Sequence, residues 1–158
     1  MAATLTTQRV YDAFLGPPEE GRTFFHGHTY TGNPLGAAAA LATLDIFERE
    51  KIVEGLPAKT KYFAEGLERF RGRPHVGDIR RYGLCAGIEL VADVDTKTPF
   101  ASRERIGMKV CQATIARGVF LRPLGDVIVL VPPLSFGPTD FDRLFNALEA
   151  ALDEVFEA

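Results

Sequence analysis

The sequence predicts an α/β chain, a small sheet with helices packed on one face, preceded by a segment with no core of its own. Three observations carry this. Residues 76–91 (VGDIRRYGLCAGIELV) alternate in strand fashion and VIVLV at 127–131 is apolar throughout, patterns that suit a half-buried strand and one covered on both faces. Three stretches, 57–70, 103–117 and 139–156, repeat apolar residues at helical spacing. Residues 1–50 sustain neither pattern long enough to close a core. They read as a piece of another domain that ends in a long helix.

Taken in order, residues 6–14 suit a short helix with Val10, Ala13 and Phe14 inward. GPPEEG (16–21) is a breaker-rich loop, and Thr23 to Phe25 read as a short strand. Asn33 and Pro34 form a helix start, with Asn as N-cap and Pro at the first helical position. That helix runs from 34 to about 50, and Ala37 to Ala40 keep its first half narrow. A second helix runs from about Pro57 to Phe70, with Phe63, Leu67 and Phe70 on one face and Gly72 ending it.

Gly83 divides 76–91 into two strands. In the second, Cys85, Gly87, Glu89 and Val91 share one face, and Ala86, Ile88 and Leu90 the other. Ser102 caps a third helix over 103–117, with Ile106, Val110 and Ala113 inward. VFLR (119–122) and VIVLV flank the turn Pro123-Leu124-Gly125-Asp126, whose Pro and Gly positions suit type I. Thr139 caps a last helix to about 156 that carries the stripe Phe141, Leu144, Phe145, Leu148, Leu152 and Phe156. The expected organisation is an incomplete domain over 1–32, a connecting helix over 33–55 and a small α/β domain over 56–158.

The chain has 158 residues, 46% apolar and 25% charged, with net charge −3 and a pI of about 5.6. That balance argues against a nucleic-acid binder relying on a basic surface. Arg69, Arg71, Arg73, Arg80 and Arg81 are diluted by Glu65, Glu68 and Asp78 and read as a solvated face. No apolar run approaches the roughly 20 residues that span a bilayer, and MAATLTTQRVYDAF has no signal-like core. The expected setting is the cytoplasm, with no membrane partner. Cys85 and Cys111 have no CxxC spacing and read as small core residues.

Two places carry candidate chemistry. FHGHTYTGNP (25–34) gathers two histidines, three hydroxyls and two glycines. His26 and His28 could be half a metal site, but a zinc site needs about three or four protein ligands and the only other histidine is His75; no metal is expected. A nucleophilic Thr29 or Thr31 would need a base and an oxyanion hole, and there is no GxSxG elbow. Two readings remain. One is a phosphate cradle, in which Gly27 opens the backbone and Thr29 offers an N–H and a hydroxyl, with indirect help from the helix start. The other is an ordinary turn. The second place is Arg122, at a strand end before a rigid turn, where a guanidinium can grip a carboxylate through two hydrogen bonds. Pairing with Asp126 across the turn is the alternative. Asp78 reads as ordering its own turn.

FFHGHTYTGNPLGAAAALATL (24–44), VGDIRRYGLCAGIELV followed by TKTPF (76–100), and RPLGDVIVLVPPL (122–134) together resemble the C-terminal third of class III aminotransferases. These enzymes use pyridoxal phosphate (PLP) on the fold-type-I scaffold. The resemblance implies that 56–158 is their small domain and 1–32 a remnant of the large PLP-binding domain. It implies that His28 and Thr29 touch PLP, with the threonine on its phosphate, in the active site of the other subunit of a homodimer. Gly27 would line the substrate pocket, and Arg122 would bind the keto-substrate carboxylate. HGHTYTGNPLG and RPLGDVI look like the members that serve biotin synthesis, which move an amino group from S-adenosylmethionine to 8-amino-7-oxononanoate to give 7,8-diaminononanoate. ω-Amino-acid transaminases, which tend to have His-Pro at Asn33-Pro34, are the alternative within the class. A non-catalytic stand-alone small-domain module is the alternative outside it. The family's cofactor-bearing lysine lies just before the stretch matching Ala2 to Thr6, and Lys51, Lys59, Lys61, Lys97 and Lys109 sit in solvated contexts. The chain is therefore expected to be a fragment, without a catalytic residue of its own and inactive alone.

Overall fold

The computed structural model describes residues 2–156. Contacts divide the chain into two compact units, Met1–Ile52 and Val53–Ala158.

The second unit is built on alternation. β1 (Val76–Tyr82) and β2 (Cys85–Leu90) form an antiparallel hairpin from Val76↔Leu90 to Tyr82↔Cys85, turned by Gly83 at φ 58. β3 (Arg122–Leu124) and β4 (Val127–Leu130) complete a four-stranded antiparallel sheet in the order β1-β2-β4-β3. Ala86, Ile88, Leu90, Ile128 and Leu130 are buried, so period 2 sends them to one face. The edges resist further pairing: β1 carries Arg80 and Arg81, and β3 is three residues long with Pro123 at its centre.

Helices cover that apolar face. α3 (Ile52–Leu67) continues into a 3-10 turn and buries Phe63, Leu67 and Phe70. Between β2 and β3 lies α4 (Ile106–Ile115), which buries Ile106, Val110 and Cys111. α5 (Pro138–Phe156) buries Phe141, Leu144, Phe145, Leu148 and Leu152. The Phe63 ring lies 5.6 Å from Phe141 and 5.8 Å from Phe145. Gly66 admits the Phe145 ring, since a Cβ there would sit 2.0 Å from Phe145 Cε2. Of the clustered arginines, exposed Arg71 pairs with Glu68 and exposed Arg80 with Asp78 and Glu89, whereas Arg73 is partly buried against Glu149 and Asp153. The Arg80 hydrogen bond holds the Asp78 carboxyl below its usual range.

The first unit has α1 (Gln8–Asp12) and α2 (Pro34–Arg49). None of residues 2–52 is buried, so these helices have no core to share. As expected, Asn33 caps α2, its side chain accepting from the Leu35 N–H at 3.0 Å.

Several expectations are corrected. The first helix is shorter than 6–14, and Val10 and Phe14 are exposed rather than inward. Thr23 to Phe25 form no strand, because the unit offers no strand to pair with among the described residues. The connecting helix stops at Arg49, and Lys51 at φ 48 breaks the chain before α3, so 50–55 is not its continuation. α3 starts five residues before Pro57, which lies inside it. Ser102 opens only a 3-10 turn; Arg105 at φ 50 separates it from α4. Pro123 and Leu124 belong to β3, so the loop is Gly125-Asp126, with Gly125 at φ 59. Glycine at the first central position suits a type II′ loop rather than type I. The 127–131 strand is buried on one face only, and Val131 is exposed. Val91 lies past the end of β2 and is buried. Cys85 is exposed, because it opens β2 on the face away from the helices; Cys111 is buried.

Two outcomes follow for the second unit. Burial pushes the Cys111 thiol up to about 11, so a thiol reagent at neutral pH should modify Cys85 promptly and Cys111 only after denaturant is added. Two fast equivalents would contradict this packing. Gly66→Ala should destabilise by about 1–3 kcal/mol by overpacking against Phe145, despite alanine's better helix propensity. The denaturant midpoint measures it, and a neutral or raised midpoint would refute the close approach.

Candidate functional site

Gly27, His28 and Thr29 lie in the exposed loop leading to α2. The His28 N–H donates to the Thr31 hydroxyl at 3.0 Å, and the Thr31 N–H donates to the His28 carbonyl at 2.9 Å. The His28 main chain therefore shapes a turn, and its imidazole makes no hydrogen bond among the described residues. Among the described residues, the N–H and hydroxyl of Thr29 have no partner. Nothing lies within 4 Å of where a Gly27 Cβ would stand, so no internal contact demands glycine there. The open backbone leaves room for a group approaching from outside the loop. Helix-start help for an anion is limited: the Leu35 N–H is held by Asn33 and the Ala37 N–H by the Asn33 carbonyl. An open depression beside the loop is lined by His28, Tyr30, Thr31, Gly32 and Gly36, and not by Gly27 or Thr29. The rings of His26 and His28 stand 5.5 Å apart, and no cluster of three metal-ligating side chains occurs among the described residues.

These groups suit a phosphate ester. Thr29 presents a main-chain N–H and a side-chain O–H donor from one residue, free in an open loop.

Arg122 belongs to the other unit. It opens β3 and pairs with Val129, which pairs with Gly87, which pairs with Arg80. Cross-strand partners share a face, so this row lies on the sheet face opposite the helices. Arg122 is exposed, and its guanidinium has no ion-pair or hydrogen-bond partner among the described residues. The alternative partner, Asp126, is engaged elsewhere: its Oδ1 accepts from the Gly107 N–H of α4 at 2.8 Å. Arg122 is thus an uncompensated guanidinium at a strand end, available to a carboxylate. At the other end of the row, Arg80 is held by Asp78 and Glu89.

Sequence reasoning did not find the role of Asp126. The signal was present in part, in a glycine (Gly107) where a helix begins and an aspartate in a tight turn, but their meeting is a tertiary event.

The family described as Aminotransferase class-III matches residues 1–152. Adenosylmethionine-8-amino-7-oxononanoate aminotransferase from Geobacter sulfurreducens is 52% identical over 155 residues, 98% of this chain and 34% of that protein. The Methanocaldococcus jannaschii protein of the same name is 45% identical over 98% of this chain and 34% of its own. The crystal structure of that archaeal enzyme superposes with a TM-score of 0.89 at 44% identity, covering 94% of this chain and 34% of that one. An aminotransferase from Vibrio fluvialis, solved in its PMP-bound form, superposes with a TM-score of 0.81 at 34% identity, over 88% of this chain and 31% of that one. The chain spans about a third of the length of the relatives it matches.

An arginine without partners costs the fold nothing to remove. Arg122→Ala should leave the denaturation midpoint within about 0.5 kcal/mol of wild type, as for a surface site. A loss above about 1 kcal/mol would show that Arg122 is committed to the fold.

Proposed function

The chain belongs to the class-III aminotransferase family, and from that membership we propose that it forms part of an enzyme moving an amino group from S-adenosylmethionine to 8-amino-7-oxononanoate in biotin synthesis. The observation that carries the reading is Arg122, exposed and unpartnered on β3 while its neighbour Asp126 is engaged with α4. The names of relatives 45–52% identical along almost the whole chain support the substrate pair.

When bound, PLP supplies the electron sink and amino-group carrier of transamination. The chain's own contribution is positioning. Arg122 takes the keto-substrate carboxylate through two parallel N–H···O bonds, which fixes the far end of a long substrate. The Thr29 N–H and hydroxyl donate to the cofactor phosphate. His28 shapes the turn that presents Thr29 and would touch the cofactor beside it, and Gly27 leaves the backbone open to the substrate. We assign Thr29 to the active site of a neighbouring copy in a homodimer. The cofactor-bearing lysine comes from the part of such an enzyme that this chain does not span. None of Lys51, Lys59, Lys61, Lys97 and Lys109 is buried, and burial is a common way to lower the pKa of a nucleophilic lysine.

The test joins this chain to the part of the Geobacter sulfurreducens relative that it does not cover. The chimera should produce 7,8-diaminononanoate from S-adenosylmethionine, and the 158-residue chain alone should not. In the chimera, Arg122→Ala should raise the KM for 8-amino-7-oxononanoate about tenfold to a hundredfold, on the order of 1.5–3 kcal/mol for hydrogen bonds between charged groups. A folded chimera that accepts only ω-amino acids as donors would favour the other branch of the class. One that transfers no amino group while the intact relative does would sink the reading.

A further inference from the structure

The β3–β4 turn is held more tightly than an exposed two-residue loop needs to be. Its Asp126 works in two directions. The main-chain carbonyl accepts from the Leu90 N–H of β2 at 2.9 Å, and the carboxylate accepts from the Gly107 N–H in the first turn of α4 at 2.8 Å. Gly107 is buried against the same turn, where a Cβ would stand 2.5 Å from the Gly125 carbonyl oxygen, 3.0 Å from Asp126 Cα and 3.1 Å from Pro123 Cβ. The helix therefore reaches the turn by backbone contact, and only glycine permits it. α4 begins there because Arg105, at φ 50, breaks the chain just before it. Residues 123–126 are thus fixed from β2, from β4 and from α4, and Arg122 is joined directly to Pro123.

We infer that Asp126 is a positioning residue for Arg122: its carboxylate latches the β3–β4 turn to Gly107 of α4 and so sets where the Arg122 guanidinium stands. The inference rests on the reading of Arg122 as the carboxylate-binding group. A three-residue edge strand has little pairing of its own to hold it still. A bidentate guanidinium–carboxylate contact tolerates little displacement, because both of its parallel N–H···O bonds depend on a fixed planar geometry. The latch needs an acceptor oxygen at that place and does not need a charge. Asparagine meets that requirement, whereas alanine and glutamate do not.

Two measurements test this. In the 158-residue chain, backbone 15N relaxation should show that Asp126→Ala loosens the amides of Arg122 and Leu124–Val127, that Asp126→Glu loosens them partly, and that Asp126→Asn leaves them as in wild type. In the chimera, Asp126→Ala should raise the KM for 8-amino-7-oxononanoate about tenfold with kcat within about twofold, and Asp126→Asn should restore wild-type KM. Tyr62→Phe, which removes the 2.8 Å hydrogen bond to Asp142 elsewhere in the unit, should lower stability without moving KM. Should Asp126→Ala not fold, the Glu and Asn variants carry the same comparison. Unchanged amide order, an unchanged KM, or an asparagine variant as defective as alanine would overturn the latch. A wild-type chimera without activity would remove the functional reading instead, and the relaxation result would then decide the latch alone.

Discussion

The sheet of the second unit has one face committed to the core, and the placement of every other feature in the unit depends on this. Ile88, Ile128 and Leu130 are essentially inaccessible because α3, α4 and α5 cover them. Burying a large aliphatic side chain is worth about 1.5–3 kcal/mol, so a slip of one residue, which would turn all of them outward, is strongly disfavoured. With the register fixed, alternation leaves no choice for the other set. Gly87, Val129 and Arg122 must share the open face, one from each of three neighbouring strands. The exposure of Arg122 is thus a consequence of core packing two residues away, and it needs no specific local device.

The first unit obeys the opposite condition. It has no buried residue among those described, and Leu5, Phe24, Phe25, Tyr30, Leu35, Leu41 and Leu44 all stand exposed. The unit's own contacts bury none of these large apolar side chains. Such a segment gains little free energy from its own contacts, and local devices supply its order instead: the Asn33 cap, Pro34 at the first helical position, and the His28–Thr31 turn. These short-range devices fix the conformation of the loop carrying Thr29 without burying it, and that keeps both of its donors free.

The legible parts of the sequence were those governed by one repeating signal. Ala86, Ile88 and Leu90 facing inward, Phe63 with Leu67 and Phe70, and the α5 stripe all follow from periodicities that burial enforces over several residues. The errors cluster where a single residue decides between local options. Lys51 and Arg105 adopt positive φ with no glycine to announce it. The Gly125-Asp126 loop took its type from Gly125 and from strand register, not from the proline before it. Cys85 stands exposed although cysteine is usually buried, because its place on the alternation puts it on the open face. VIVLV was apolar enough for burial on both faces, but its second face, with Val127 and Val129 half-exposed, is one that only a further element could cover. At the candidate site, chemical type singles out Gly27, Thr29 and Arg122 as candidates, with an ordinary turn and a pairing with Asp126 left open beside them. What could not be read was which of two neighbouring groups Asp126 would choose, since Gly107 is 19 residues away in the chain.

That choice matters for electrostatic reasons. A carboxylate four residues from Arg122 on the same tight hairpin is a ready intramolecular competitor for any carboxylate ligand. Were the two paired, a ligand would have to displace Asp126 and leave it uncompensated, and little net attraction would remain. Drawing Asp126 to the Gly107 N–H removes the competitor. The new contact is itself favourable, since a carboxylate on a first-turn amide satisfies an otherwise unpartnered donor and complements the positive end of the helix dipole. Replacing the acid by a neutral acceptor would preserve the cap and also lower the local negative potential at Arg122. Replacing it by alanine would remove the same charge and release the turn. A comparison of the two therefore separates the geometry of the hairpin from its charge, and only geometry distinguishes a positioned guanidinium from a merely exposed one.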